Sequence, residues 1–381
     1  MSKKTIVLVT CWFPHKENPQ AGSFVLDHAV SLVKSGLKVR IFYIYIHPGN
    51  RAFKVWGEQY NETGIPVLKL NIASRFWKFI YQWPLFAKKT VLSFSGTSFF
   101  SDVDIIHSHA LFPAGFFGFQ LAQKLQKPFV HTEHWSRSFS FLRKHPLGYY
   151  GKRVYQKSRA VIFVSEYLKQ KIESIANIPN KFVIANPING DLFHYSPKPD
   201  PAPLRFTLAA FWKKNGVKRG DLILDAFHEI QQETDLKFQL DFVGDGDLLS
   251  EYQQKADAYG LPVCFCGYKS KEKLAEQLTQ SHFFIHATDF ETFGIVIFEA
   301  LKTGTPVLAS RLKVFEPYID NTNGFLSENT VKDWKDTILK AVQQRYDYAQ
   351  IGKNFRQPFS EKEIAEQTNE VYDFVLKEQN H

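Results

Sequence analysis

Residues 289–310 read DFETFGIVIFEALKTGTPVLAS, in which Glu291 and Glu299 are separated by seven mostly apolar residues and Gly294 stands close behind the first. The preceding residues, HFFIHAT (282–288), form a short aromatic and β-branched run of the kind that makes a buried strand. DFETFG is then the loop leaving the carboxyl end of that strand, IVIFEALKTG a helix ended by Gly304, and TPVLAS (305–310) the next strand. Strand, loop, helix and strand make the repeating unit of a parallel sheet, and this decides the fold class.

The same alternation runs along the whole chain. TIVLVT (5–10), KVRIFYIYI (38–46), VDIIHSH (103–109), PFVHTEH (128–134) and AVIFVS (160–165) read as strands. A helix at 24–36 has Phe24, Ala29, Leu32 and Val33 at helical spacing and Gly36 as its stop. LRFTLAAF (204–211), KFQLDFVG (237–244) and PVCFCG (262–267) repeat the scheme before HFFIHAT and TPVLAS. Between the two series lies SPKPDPAPL (196–204), with four prolines in nine residues, a stiff segment suited to a domain boundary. The expected architecture is α/β: two doubly wound domains, 1–195 and 205–381, joined by the 196–204 linker, with strand carboxyl ends facing a common cleft.

Composition narrows the function classes. Residues 1–200 hold 26 Lys+Arg against 11 Asp+Glu, and residues 201–381 hold 21 against 27, so the overall net charge of +9 conceals a basic half and an acidic half. A basic half suits nucleic acid, an anionic membrane surface or acidic small molecules. Within it, SRFWKFIYQWPLFAKK (74–89) interleaves Arg75, Lys78, Lys88 and Lys89 with aromatic residues, the make-up of a membrane-surface segment that Pro84 interrupts. The alternative is an aromatic stripe packed on its own domain beneath solvated lysines. No apolar run approaches the ~20 residues of a spanning helix. MSKKTIVLVTCWFP at the start reads as a first strand and not a secretion signal, and the three cysteines (Cys11, Cys264, Cys266) read as reduced core thiols. Cytoplasmic residence, with an optional place on the inner membrane face, is the expectation.

Glu291 then sits at or just before the helix N-terminus and Glu299 two turns in, so the carboxylates stand ~12 Å apart along the axis, with the free N–H groups of the first turn between them. An anion belongs at those N–H groups and hydroxyls at the carboxylates. Gly294 lets a backbone approach phosphates closely. A nucleotide diphosphate sugar has this layout.

ETFGIVIFEALKTGTPVLAS closely resembles the E-x7-E signature of the retaining glycosyltransferases of family 4, which have the two-domain GT-B fold. The similarity extends over nearly the whole chain, through PQAGSF (19–24), DIIHSHA (104–110), HTEH (131–134), VSEYLKQKI (164–172), NPING (186–190), FVGDGDL (242–248) and NGFL (323–326). The closing segment, 360–378, resembles the family's last helix, which crosses back to the first domain. The resemblance implies that Glu291 holds sugar hydroxyls at the reacting face, and that Glu299 accepts hydrogen bonds from the ribose. It further implies that Phe293, Gly294 and Ile295 line the donor site, that Gly244 and Gly246 form a tight turn near the nucleotide, and that Gly22 approaches the diphosphate. His109, at a strand end, is implied near donor sugar and acceptor, and His134 in acceptor contact or loop support.

A departing diphosphate needs cations where no metal supplies them. AAFWKKNGVKRGDLILDAF (209–227) offers Lys213, Lys214, Lys218 and Arg219. The family has an Arg or Lys after this strand and a Lys before a Gly; Arg219 fills the second slot, while the first stays open between Lys213 and Lys214. Asp245-Gly-Asp247 could hold a metal, and so could His107, His109, His131 and His134, but the resemblance implies neither metal nor cofactor. The implied reaction is retaining transfer of a hexosyl-type sugar from a UDP- or GDP-linked donor to a glycan or lipid-linked hydroxyl, for a surface polysaccharide or glycolipid. A sugar-nucleotide epimerase or phosphorylase of the same fold, a degenerate nucleotide-sugar binding protein, and a nucleic-acid protein are the rival readings.

Overall fold

The computed structural model describes residues 3–15, 18–135, 138–143, 147–199, 203–214, 216–355 and 358–377. Part of the 196–204 stretch and residue 378 of the closing segment lie outside them. The chain forms two compact units, Met1–Pro187 with Glu361–His381, and Ile188–Ser360. The division falls ahead of the proline-rich stretch. Lys198 explains why that stretch goes with the second unit: its Nζ donates to the carbonyls of Leu278 and Thr279 at 3.0 and 3.2 Å and to Thr305 Oγ1 at 2.5 Å.

The first unit is built on β1 (Thr5–Thr10), β2 (Lys38–Pro48), β3 (Lys54–Glu62), β4 (Ile65–Ser74), β5 (Ile105–His109), β6 (Phe129–Glu133), β7 (Ala160–Phe163) and β8 (Lys181–Val183). Their order is β3-β4-β2-β1-β5-β6-β7-β8, parallel except for the antiparallel edge pair β3–β4. All six residues of β1 are buried, as expected of a central parallel strand covered on both faces. The β3–β4 hairpin is absent from the sequence expectations. It turns at Thr63 and Gly64, with φ of +49° and +80°.

The closing helix, Glu361–Lys377, is part of this unit. It buries Ile364, Val371, Tyr372 and Val375 in the core around β1, and Lys4 holds it through Asp373 at 2.6 Å and Asn369 at 2.8 Å. This is the return of the C-terminus to the first domain that the family resemblance implies.

The second unit has β9 (Leu204–Ala209), β10 (Phe238–Val243), β11 (Val263–Gly267), β12 (Phe283–His286), β13 (Val307–Ser310) and β14 (Gly324–Ser327), all parallel, in the order β11-β10-β9-β12-β13-β14. In each sheet the order reverses beside its first strand, between β1 and β5 and between β9 and β12. Ligands of doubly wound sheets bind at the carboxyl ends beside such a reversal. The loop after β9 carries the cations, and the loop after β12 carries Glu291 and leads into the helix that bears Glu299; Gly22 follows β1 and His109 ends β5.

The cysteines depart from expectation. Cys264 is exposed on the edge strand β11, with its sulfur 3.1 Å from that of Cys266, because alternate residues of a strand share a face. Cys11 and Cys266 are half-buried, and burial raises both thiols above the usual value.

Candidate functional site

In the second unit the loop after β9 is laced to the strand end it faces. Lys218 and Thr288 form an antiparallel bridge, flanked by Arg219 N–H donating to the Ala287 carbonyl at 3.0 Å and Asp289 N–H to the Val217 carbonyl at 2.8 Å. This lacing brings the Lys218 ammonium onto Glu291, where Nζ donates to Oε2 at 2.8 Å and lies 2.9 Å from His286 Nε2. His286 Nε2 is 3.4 Å from the same carboxylate oxygen. Burial alone would raise the Glu291 carboxyl, but the Lys218 charge and the His286 contact outweigh it and hold it well below the usual range. Burial, helped by Lys218, lowers His286 to about 4. The cluster at pH 7 is therefore a cation, a neutral imidazole and a carboxylate that has no proton to give.

Arg219 is differently engaged. Its Nε and Nη2 grip Asp221 at 3.1 and 3.0 Å and Nη1 reaches Asp289 at 3.3 Å, and the Asp221 hydrogen bonds raise its pKa further. Two carboxylates already balance it, so Lys218 and not Arg219 is the cation brought to Glu291. Lys213 lies over the Phe211 ring, 4.7 Å from its centroid, and Lys214 donates its backbone N–H to Asp247.

The glycines show what they make room for. A Cβ on Gly244 would stand 1.8 Å from the Ala210 carbonyl oxygen and one on Gly246 2.1 Å from that of Trp212. Both residues, at positive φ, let the loop after β10 pack on the loop after β9. Asp245 Oδ1 accepts the Gly246 N–H at 2.7 Å and Asp247 Oδ1 the Lys214 N–H at 2.9 Å, so both aspartates build this turn.

Gly294 is left-handed, with φ +75°, and caps the helix Ile295–Lys302. The helix begins at Ile295, as the sequence implies, and Gly304 with φ +78° follows its end. Only its residues from Ile295 onward follow the helical rise, so the ~12 Å axial spacing of the glutamates does not hold, and Glu299, which is buried, lies a little over one turn inside. Phe293 stacks on Phe298 at 4.7 Å and meets Phe359 edge-on at 5.4 Å; its side chain belongs to the core, not to a ligand surface.

In the first unit His109 ends β5 and stacks on His107 and His134, with Nδ1 2.9 Å from His134 Nε2. His109 Nε2 is buried without a hydrogen-bond partner among the described residues. Burial, then the neighbouring histidines, push His109 well below the usual value, so it is a neutral ring. Glu133 supports the loop after β6 by accepting the backbone N–H of His134 at 2.9 Å and of Trp135 at 2.7 Å. Gly22, with φ +63°, leads into the helix Ser23–Lys34, and its missing side chain makes room for the Trp12 carbonyl, 2.1 Å from where a Cβ would sit.

The four-histidine set is split by strand alternation. His131 faces Ser108, at 2.8 Å, on one side of the sheet, while His107 and His109 face the other. His28, from the helix Ser23–Lys34, joins the latter pair, and the three offer ring nitrogens within 4.8 Å of one another. His107 already bonds Tyr372 through Nδ1 at 2.6 Å and Thr132 through Nε2 at 2.7 Å, so a metal there must break one of these bonds. Sequence reasoning missed His28 and His286. His286 had a signal, five residues before Glu291 at a strand end; His28 had none.

Two doubly wound parallel sheets with loop-borne carboxylates and cations at the second sheet's reversal point define the GT-B class. Residues 201–357 match the family model described as "Glycosyl transferases group 1" and residues 21–192 that described as "Glycosyltransferase Family 4". Each half of the chain thus matches a glycosyltransferase family model. It is 29% identical over 280 residues to an uncharacterized glycosyltransferase of Methanocaldococcus jannaschii, across 71% of this chain and 75% of the relative. It is 25% identical to the alpha-monoglucosyldiacylglycerol synthase of Streptococcus pneumoniae, across 58% of this chain and 53% of that protein. In fold it is similar to sucrose-phosphate synthase from Thermosynechococcus elongatus, with TM-score 0.76 and 18% identity over 99% of this chain and 100% of that one. Anabaena HepE in complex with UDP and glucose is also similar, with TM-score 0.69 and 17% identity over 98% and 100%.

Proposed function

We propose that the protein is a retaining glycosyltransferase that moves a hexosyl-type sugar from a UDP- or GDP-linked donor to a hydroxyl of a glycan or lipid-linked acceptor, without a metal. The Lys218–His286–Glu291 cluster carries this reading. A carboxylate held ionised only accepts hydrogen bonds, which suits sugar hydroxyls and repels phosphate. Lys218 beside it, with Lys213, Lys214 and Arg219 on the same loop, supplies the positive charge a departing diphosphate needs. Asp245 and Asp247, spent on turn building, are poor metal ligands as they stand. Glu299 is assigned to the ribose hydroxyls. The neutral His109, with its unpaired Nε2, is assigned to a sugar or acceptor hydroxyl, and His134 to holding His109.

In the reaction the acceptor oxygen bonds to the anomeric carbon on the face from which the diphosphate leaves, and a leaving phosphate oxygen takes the hydroxyl proton. One relative is an alpha-monoglucosyldiacylglycerol synthase, which supports the lipid-linked option. We place the protein in the cytoplasm and in the making of surface polysaccharide or glycolipid; no described helix is long and apolar enough to cross a membrane. A thermal-shift panel of UDP, GDP, ADP and their sugar conjugates tests the donor half. Stabilisation by one nucleotide family, lost in Glu299→Ala, is the expected result; no shift with any nucleotide overturns it.

A further inference from the structure

The first unit gathers two separate segments at one sheet edge. The turn joining β2 to β3 is pinned to the end of β4: Gly49 N–H donates to the Ser74 carbonyl at 3.2 Å and Arg75 N–H to the Arg51 carbonyl at 2.9 Å. Arg51 and Phe53 from the turn thereby join Arg75, Phe76, Lys78 and Phe79 at the start of the helix Trp77–Gln82. The three phenylalanines are 41%, 52% and 47% exposed, and all three basic residues are exposed. Phenylalanine rings half in water are expensive to maintain, and a cluster of them marks a contact surface. Arg75 lies over the Phe76 ring at 4.8 Å, which sets charge and apolar face side by side.

The sequence around the cluster is predominantly basic. Between Asp27 and Asp102 the only acidic residues are Glu58 and Glu62, both on the antiparallel edge strand β3. Exposed aromatic rings amid uncompensated Lys and Arg are what an anionic bilayer surface accommodates: rings at the headgroup boundary, cations at lipid phosphates.

The location ties this surface to the acceptor side. β4 and β5 run parallel within the sheet, so Ser74 and His109 both lie at its carboxyl end. Tyr81 of the helix Trp77–Gln82 accepts a hydrogen bond from Trp12 Nε1 at 2.7 Å, Trp12 meets Phe24 at 6.4 Å, and Phe24 packs on His134 at 4.3 Å. We propose that the composite face of Arg51, Phe53, Arg75, Phe76, Lys78 and Phe79 docks the first unit on an anionic lipid bilayer and so holds His109 and His134 toward an acceptor carried in that bilayer. The acceptor clause rests on the transferase reading; the docking clause does not.

The test is co-sedimentation of the full chain with vesicles of phosphatidylcholine alone or mixed with phosphatidylglycerol. The expected result is binding to the mixed vesicles only, released near ~1 M salt. Reversing Arg51, Arg75 and Lys78 to Glu lowers the partition on the order of 100-fold, and Phe53→Ser with Phe76→Ser and Phe79→Ser lowers it as well, while nucleotide thermal shifts and the circular dichroism of both variants stay at the wild-type values. Equal binding to neutral vesicles, no binding to anionic ones, or wild-type partition in the charge-reversed variant overturns the proposal. If no nucleotide stabilises the protein while vesicle binding follows the expected pattern, the transferase reading fails and the docking surface stands.

Discussion

Lys218 and Glu291 stabilise one another only as a pair. Replacing Lys218 by Met leaves Glu291 and His286 facing each other without the cation, and Glu291 must either take a proton or remain a poorly solvated anion. For a pair about one-fifth exposed the expected loss is about 2 kcal/mol, less than a fully buried pair would give. Arg219→Met, which frees two more exposed carboxylates, should cost well under half of that; equal losses in the two variants, by chemical denaturation, would refute the distinction. His286 adds a pH dependence. It stays neutral in the folded chain down to about 4, whereas the unfolded chain protonates it from about 6.5. The unfolded state thus binds more protons between those values, and stability falls as pH drops from about 6.5 to about 4. Glu291 extends the loss at the acid end, because its depressed value makes its contribution complete above the usual carboxylate range and lost below. Melting temperature plotted against pH should be steeper for the wild type than for His286→Gln, and parallel curves would rule out this assignment. At this scale the sequence offered Lys213, Lys214, Lys218 and Arg219 as cations without pairing any of them with Glu291. The lacing of residues 217–219 onto 287–289, a contact between loops some 70 residues apart, is what brings Lys218 to that carboxylate.

Elements were legible where the chain is apolar and buried on both faces. Ten strands follow from Val, Ile and Phe runs, whereas the β3–β4 hairpin, with its solvated edge strand, carries only a weak alternation and a Thr-Gly turn. That turn is strained. Thr63, β-branched, sits at φ +49°, a region better suited to Asn. Thr63→Asn should raise stability by about 0.5–1 kcal/mol, despite losing the exposed hydrogen bond from Thr63 Oγ1 to the Glu62 carbonyl. An unchanged or lowered denaturation midpoint would count against the strain. Gly294 is the opposite case, a turn already occupied by its best residue. Gly294→Ala must hold φ +75° and put a methyl 2.7 Å from the Phe315 ring and 3.2 Å from Glu291 Cγ. The left-handed penalty alone is about 1–2 kcal/mol, and relief of the clash moves Glu291, so donor-induced thermal shifts should shrink more than the melting temperature itself.

Over the whole molecule, chain order and folded units do not coincide. Residues 361–381 complete the unit begun by residues 1–187, and residues 188–360 form the other. The units divide ahead of the proline-rich stretch, because proline content reports stiffness and not which side the segment packs on. The closing helix contributes Ile364, Val371, Tyr372 and Val375 to the core around β1. At ~1.5–3 kcal/mol each, their burial is worth roughly 6–12 kcal/mol, comparable with the whole stability of an ordinary domain. It also supplies Thr368 to His28 and Tyr372 to His107, the hydrogen bonds behind the histidine cluster. Removing residues 361–381 should therefore unfold the first unit while leaving the second able to fold and to give its nucleotide-dependent thermal shift. Attaching the same residues through a flexible linker after residue 187 should restore the first unit without the second present. Protease resistance of the two fragments, read by mass, decides the matter: a stable 1–187 fragment would mean that the helix is an accessory, and a failed 188–360 fragment that the second unit does not stand alone.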